Sequence, residues 1–232
     1  MMQTFTEQSI ISEIVTKIPR ASDLFKSYQI NFCCDGNRPL IEAINEKGLP
    51  SDEVLSQLNK LYEKTQIEES YTDWAKASSE KLINHIISKH HRYLKEELPL
   101  LSPYITKVSR VHGPSQPHLI RIHSLFFELK KELEKHILKE ETIDFPAILA
   151  YENNHSKEYR ESYINTVTEL EIEHSQAISI LKELRKLTND FTPPEGACGT
   201  YRLVYQRLYD LESDLTQHIH LENTFLFNRV NP

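Results

Sequence analysis

The chain contains two histidine–glutamate pairs whose spacing suits metal binding. His136 and Glu140 lie in EKHILKEETIDFP, and His218 and Glu222 lie in QHIHLENTFLF. Side chains four residues apart project from the same face of an α-helix. The imidazole and the carboxylate of each pair can therefore reach a common metal ion.

Both pairs lie on helix faces that are otherwise apolar. The residues at helical spacing before His136 are Leu119, Ile122, Phe126, Leu129 and Leu133, and those before His218 are Val204, Leu208, Leu211 and Leu215. Faces of this kind turn toward a core. A carboxylate buried there without a partner costs several kcal/mol or becomes protonated, so Glu140 and Glu222 need a cation or strong donors. The pattern predicts a buried di-metal site.

Two further helical segments each carry one histidine on the inward face. His85, in SEKLINHIISKHH, aligns with Leu82 and Ile86, and His174, in ELEIEHSQAISIL, aligns with Leu170. The four histidines are far enough apart along the chain to occupy four helices, and facing helices of a bundle build metal sites from inward side chains. We therefore predict an all-α protein with an up-down-up-down four-helix bundle. The predicted ligands are His85, His136, Glu140, His174, His218 and Glu222.

The ligand types narrow the choice of metal. If both carboxylates bridge two ions, each ion receives two imidazole nitrogens and two carboxylate oxygens, and a shared oxo group still leaves one position open. Such ligands suit iron, manganese or zinc, whereas a structural zinc site is usually rich in thiolates. Iron is our first choice.

Composition restricts the class of protein. With 232 residues, 39% hydrophobic content and few glycines, the chain has the character of a soluble helical protein. Its net charge of −7 and the lack of a Lys/Arg run exclude a general nucleic-acid binder. We expect no membrane span and no signal peptide. An odd number of cysteines, two of them adjacent, favours a reducing compartment, so we expect a cytoplasmic protein.

The chain divides into three predicted segments. Residues 1–62 form a small helical domain that bears cysteines, residues 63–78 form a polar linker, and residues 79–232 form the bundle. Proline disfavours helix interiors, so the first bundle helix is expected to close at Pro99 and Pro103 and the second at Pro146. Trp74 is expected to anchor the linker.

Cys33 and Cys34 are the second distinctive feature, in YQINFCCDGNRPL. A thiol near a helix N-terminus can have a lowered pKa and then bind metal or exchange disulfides. Two small buried core residues are an equally good interpretation. Cys198, in EGACGTYRL, is expected to be structural.

The chain resembles the di-iron iron-sulfur cluster repair proteins, the RIC or ScdA/YtfE group, over nearly its whole length. The resemblance rests on INFCCDG, NHIISKHH, KVSRVHGPSQPHL, HILKEETIDFP, EHSQA, CGTYRLVYQRL and HIHLENTFLF, in that order. It implies a hemerythrin-like bundle with two irons bridged by an oxo group and two glutamates. It also implies His85, His136, His174 and His218 as terminal ligands and Glu140 and Glu222 as bridges.

The resemblance implies a role in restoring iron-sulfur clusters damaged by oxidative stress or nitric oxide. Our hypothesis is a redox-gated iron donor to damaged cluster proteins, with Cys33 and Cys34 as a candidate thiol relay. Two alternatives stay open: an enzyme that reduces nitric oxide or peroxide, and a carrier or sensor of dioxygen or nitric oxide. The sequence also leaves open whether the chain forms a homodimer.

Neighbouring residues compete for some ligand positions. His90 is the main rival of His85, and Glu141 is the nearest rival of Glu140 but falls off its face. His91 is expected to be solvated or to cap a helix. Glu173, beside His174, could support the site from outside or be an ordinary exposed carboxylate.

Overall fold

The structure is a computed structural model that describes residues 5–18, 21–28, 30, 36, 38–66, 74–154 and 156–230. Within these ranges the regular elements are helical, apart from one isolated bridge between Ile10 and Pro39. The all-α prediction is therefore confirmed. Cys33 and Cys34 lie outside the described residues, so the thiol relay stays a prediction.

Contacts divide the chain into two compact units. The first contains residues 1–71 and 192–207, and the second contains residues 72–191 and 208–232. Residues 192–207 thus group with the first unit, although the sequence prediction assigned them to the bundle. The domain boundaries at residues 62 and 78 stay a prediction.

Four helices build the part of the first unit that ends at residue 66. They are α1 (Ile11–Lys17), α2 (Ala21–Ser27), α3 (Leu40–Lys47) and α4 (Ser51–Gln66). Their apolar sides form a small core in which Ile11, Ile14, Phe25, Leu40 and Leu58 are fully buried. Helix α3 ends at Gly48, whose φ of 62° is a left-handed conformation that glycine adopts readily.

Four helical rods follow, numbered in chain order, and most of them contain more than one helical element. The first comprises α5 (Ser79–Ile86), a π-helical turn (Ile87–His91) and α6 (Arg92–His112), and the second comprises α7 (His118–Lys139), a π-helical turn (Glu140–Asp144) and α8 (Phe145–Asn153). The third is α9 (Lys157–Leu187), and the fourth comprises α10 (Gly199–His220), a π-helical turn (Leu221–Leu226) and a short 3-10 turn (Phe227–Val230). Short connections reverse the chain between rods, as in up-down-up-down bundles.

The prolines do not end the rods where the sequence predicted. Helix α6 continues through Pro99 and Pro103 to His112. An interior proline removes a backbone hydrogen bond, but this segment buries Leu101 and Ile105, and burial of such side chains offsets the cost. Pro146 lies in the first turn of α8, where proline is tolerated.

The three π-helical turns change the register of the side chains around them. A π turn holds one more residue than an α turn, so side chains after it are rotated relative to those before it. Each turn contains or adjoins polar side chains that are fully buried, namely His91, Glu140 and Glu222. In these three rods, the direction in which side chains project therefore changes at the candidate site.

An apolar cluster packs beside these turns. It contains the buried side chains of Leu82, Ile86, Phe145, Ile148 and Leu226, with Trp74 packed against it. Two serines cap helices here: Ser78 accepts from the backbone N–H of Lys81, and Ser156 accepts from that of Tyr159. Among the described helices, none is both long and apolar enough to cross a membrane.

Candidate metal centre

Six buried polar side chains meet inside the second unit, with contributions from all four rods. They are His91, His136, Glu140, His174, His218 and Glu222, each at most 7% exposed. In the described part of the chain, their ligand atoms form two groups within which all atoms lie within 4.8 Å of one another. The first ligand group has His91 and His218, the second ligand group has His136 and His174, and both share Glu140 and Glu222.

Each carboxylate divides its two oxygens between the groups. Glu140 Oε2 lies 3.2 Å from His91 Nε2, and Glu140 Oε1 lies 3.3 Å from His136 Nε2. Glu222 Oε1 lies 3.0 Å from His218 Nε2, and its Oε2 lies 3.1 Å from His174 Nε2. Each group therefore has two imidazole nitrogens and one oxygen from each glutamate, which is the donor set of one ion in a pair bridged by two carboxylates.

Three of the imidazoles are oriented by an acceptor on their outer side. His91 Nδ1 lies 2.9 Å from Glu141 Oε1, His136 Nδ1 lies 2.6 Å from Glu173 Oε2, and His174 Nδ1 lies 2.9 Å from Asn223 Oδ1. These acceptors favour the proton on Nδ1. The Nε2 lone pair then points toward the centre, as in metal sites whose histidines donate to an outer partner.

The inward atoms fit a bound cation better than they fit one another. Within the described part of the chain, both oxygens of Glu140, Oε2 of Glu222 and Nε2 of His174 are buried and have no hydrogen bond of good geometry. Buried carboxylates are costly unless a positive charge compensates them. A pair of divalent ions would satisfy these orphaned atoms together.

Without metal, protons take over part of this compensation. Burial disfavours a charged imidazole, but the close negative charge of Glu140 outweighs it and raises the pKa of His136 to about 9. Burial likewise opposes ionisation of Glu222, yet the charge and hydrogen bond of His218 and the nearby ring of His174 hold its pKa well below the usual range. The centre thus keeps its carboxylates ionised and ready to bind a cation.

The prediction of His85 as a ligand needs correction. His85 is only partly buried, and its ring lies 4.5 Å from that of Trp74 and 5.8 Å from that of His90. It belongs to neither ligand group among the described residues, and His91 stands in its place. In a continuous α-helix, His91 would face away from Leu82, and the extra residue of the π turn brings it inward.

A signal for His91 exists on the other side of the π turn. His91 aligns at helical spacing with Leu94, Leu98 and Leu101, all fully buried. The sequence prediction extended the apolar face forward from Leu82, which led to His85. Extending it backward from α6 leads to His91.

The rival residues support the centre from outside. His90 is buried, with Nδ1 at 2.9 Å from Asp214 Oδ1, and its ring stacks on that of His218 at 5.5 Å. Glu141 contacts His91 and accepts hydrogen bonds of 2.7 Å from Lys95. Glu173 contacts His136 and is therefore more than an ordinary exposed carboxylate.

A small cavity of about 30 Å³ adjoins the centre. Its walls carry both apolar and polar side chains beside the two histidines, namely Leu133, Ala177, Ile180, Leu215 and Ile219, and Glu132, Lys135, Glu173 and Gln176 beside His136 and His174. A volume of this size holds about two water-sized molecules. The cavity therefore gives a diatomic molecule room beside the second ligand group.

Two shared carboxylates and four histidines inside a four-helix bundle define a hemerythrin-like protein with a buried site suited to binding metal ions. Consistent with this class, residues 82–230 match the hemerythrin HHE cation binding domain. Residues 7–62 match the ScdA_N domain, which is described as a domain of unknown function.

Named relatives match the chain from end to end. The iron-sulfur cluster repair protein ScdA of Staphylococcus haemolyticus is 36% identical over 228 residues, covering 97% of this chain and 99% of the relative. ScdA of Staphylococcus epidermidis is 38% identical over 231 residues with the same coverage. The iron-sulfur cluster repair protein YtfE of Escherichia coli O81 is 36% identical over 222 residues, or 95% of each chain. The chain belongs to the ScdA/YtfE family of hemerythrin-like proteins, which confirms the resemblance.

Proposed function

We propose that this protein repairs iron-sulfur clusters damaged by oxidative or nitrosative stress, and that it does so as a redox-gated iron donor. The names of the ScdA and YtfE relatives support the repair role. The division of each carboxylate between two imidazole pairs is the observation that carries the di-iron assignment.

In this proposal each ion has its own pair of histidines. His91 and His218 hold one iron, His136 and His174 hold the other, and Glu140 and Glu222 bridge both. When bound, the pair supplies one-electron redox chemistry and a position for a small ligand. The chain contributes fixed Nε2 donors, orphaned carboxylate oxygens and a buried setting that limits access of water.

The donor set favours release of iron to an acceptor. Imidazole and carboxylate bind ferrous iron less tightly than a cage of thiolates does. A damaged cluster protein that offers cysteine thiolates can therefore take iron from this centre after reduction. Cys33 and Cys34 are the candidate thiol relay for that transfer. We propose that the protein acts in the cytoplasm.

Iron content and transfer test this proposal. Protein from iron-replete cells should hold about two irons per chain, and a Glu140→Ala, Glu222→Ala variant should hold almost none because both bridges are lost. The loaded protein, once reduced, should supply ⁵⁷Fe to an apo-ferredoxin, followed by Mössbauer spectroscopy. A Glu134→Ala, Glu161→Ala variant is the matched control, since both carboxylates are exposed and belong to neither ligand group. Zinc at the site, or no transfer on reduction, would overturn the proposal.

The cavity favours a second candidate function. Its volume and the apolar part of its wall beside His136 and His174 suit a diatomic molecule, so binding or reduction of nitric oxide or dioxygen is the alternative. A reductase predicts many turnovers with iron retained, whereas a donor predicts one transfer with iron lost. Iron counts before and after reaction with nitric oxide and a reductant separate the two.

A further inference from the structure

A series of ring contacts leads from a partly exposed tryptophan to the metal centre. The ring of Trp74 lies 4.5 Å from that of His85, and His85 lies 5.8 Å from His90. His90 stacks on His218 at 5.5 Å with the rings only 9° apart. His218 Nε2 in turn faces Glu222 and His91 within the first ligand group.

We infer that Trp74, His85 and His90 form an electron route that ends at His218. The inference rests on the proposed iron centre and adds the path by which it is reduced. Electron tunnelling weakens steeply with distance, and rings in successive contact keep each gap short. A one-electron donor protein that docks beside Trp74 would lose one electron as one ferric ion becomes ferrous. Two such events reduce both ions, and no bond in the protein forms or breaks.

His90 packs against the centre without being one of its candidate ligands. Its side chain is fully buried, yet it belongs to neither ligand group, and its Nε2 has no hydrogen-bond partner among the described residues. Asp214 accepts from its Nδ1 and so fixes the ring plane parallel to that of His218. Held in this way, the buried ring of His90 can pass an electron from His85 to the candidate ligand His218.

The outer end of the series is fixed as well. Trp74 packs against the apolar cluster, and its carbonyl oxygen accepts a hydrogen bond of 2.7 Å from Arg229. Arg229 also donates to Ser79, the first residue of α5. The indole is therefore held against His85, while part of it stays exposed to an incoming donor.

The other ring contacts of the ligands end inside the protein. His91 stacks on Phe145 at 5.7 Å, and His174 stacks on Phe227 at 5.9 Å. Both phenylalanines are fully buried. Among the described contacts between aromatic or imidazole rings that start at a ligand ring, the series through His90 is the one that reaches a partly exposed ring.

Light-driven reduction from a fixed point tests the route. A ruthenium photosensitiser is attached to Ala75→Cys, which is exposed and next to Trp74, in iron-loaded full chain with Cys33, Cys34 and Cys198 changed to serine. Loss of ferric absorption after a flash gives the rate. We expect His85→Ala to slow this rate severalfold because it opens a gap, and His85→Phe to restore it because a ring refills the gap. Iron content and the ferric spectrum should be the same in all three proteins.

A second label position provides the matched control. Ser175 is exposed and follows the ligand His174, so a label on Ser175→Cys reaches the centre from another side. Its rate should not respond to His85→Ala. The route is overturned if the rate from residue 75 is unchanged in His85→Ala, or if both label positions slow equally. A protein without iron would instead overturn the proposed function, so the two failures are distinguishable.

Discussion

His91 and His85 lie six residues apart, but only His91 meets the carboxylates. His91 Nε2 is 3.2 Å from Glu140 Oε2 and 3.2 Å from His218 Nε2, whereas His85 packs against Trp74 and His90. We therefore expect His91→Ala to lower the bound iron to about half, because one ion loses a ligand. His85→Ala should keep the full amount. Metal analysis of both purified variants checks this, and the reverse order would restore the original ligand assignment.

The fluorescence of Trp74 should report the protonation of His85. Burial and the nearby charges of His90 and Lys89 lower the pKa of His85 to about 4, so the ring stays neutral at neutral pH. The imidazolium forms only as the pH falls through about 4, and a charged ring in contact with indole quenches its emission. Since Trp74 is the sole tryptophan, emission should hold steady from pH 7 to 5 and fall near pH 4.

The His85→Phe variant is the control for this titration, because it keeps a ring beside Trp74 but removes the proton. Circular dichroism recorded at each pH separates quenching from acid unfolding. A midpoint near 6.5, the ordinary histidine value, would contradict the structure, because it would mean that His85 is freely hydrated.

Sequence places a candidate ligand on the inward face correctly where a straight helix leads up to it. His136 and His218 end long α-helical stretches, so the apolar stripe of α7 or α10 points directly to them. His174 lies in the middle of α9 and shares this advantage. His91 is the last residue of a π turn, and a period of 3.6 residues extended across that turn selects the wrong face. The local register, rather than the residue type, limited the prediction.

At the level of elements, the π turn at Ile87–His91 lets the residues on its two sides pack in different places. Leu82 and Ile86 before it pack in the apolar cluster, while His91 and Leu94 after it face the centre and the core of the bundle. Deleting the exposed Ser88 should convert the turn to α-helix and rotate one face away. We expect iron loss and a lower melting temperature.

Ser88→Ala is the matched control for this deletion, since it keeps the residue count and removes only a bond of 3.3 Å to the carbonyl of His85. It should bind iron normally. Full iron content in the deletion variant would show that the extra residue does not position His91.

The helix boundaries show a similar balance between local and tertiary preference. Helix α9 begins directly after Ser156, whose side chain caps it, as local preference favours. Helix α6 passes Pro99 and Pro103 because the residues beyond them are apolar and buried. Local helix propensity alone predicts that α6 ends at the prolines. The stabilisation from packing against a neighbouring rod is not part of that propensity.

For the molecule as a whole, the centre joins rods that are distant in sequence. One ligand group needs the first and fourth rods, the other needs the second and third, and the two glutamates connect both groups. Metal binding should therefore stabilise the second unit as a whole rather than one helix. The sequence could predict this dependence from four separated ligand segments, but it could not predict that residues 192–207 group with the first unit.

Chelation should measure how much the metal contributes to stability. A ligand present at a thousandfold excess over its dissociation constant stabilises the native state by about 4 kcal/mol, so removal of iron should lower the melting temperature clearly. A Glu140→Gln, Glu222→Gln variant keeps the size of both buried side chains but loses their charge. Its iron should be absent and its melting temperature insensitive to chelator, because nothing remains to be removed. Calorimetry with and without chelator on both proteins checks this: if the wild-type curve does not move, the buried carboxylates are compensated by the imidazolium protons alone, and the metal has no structural role.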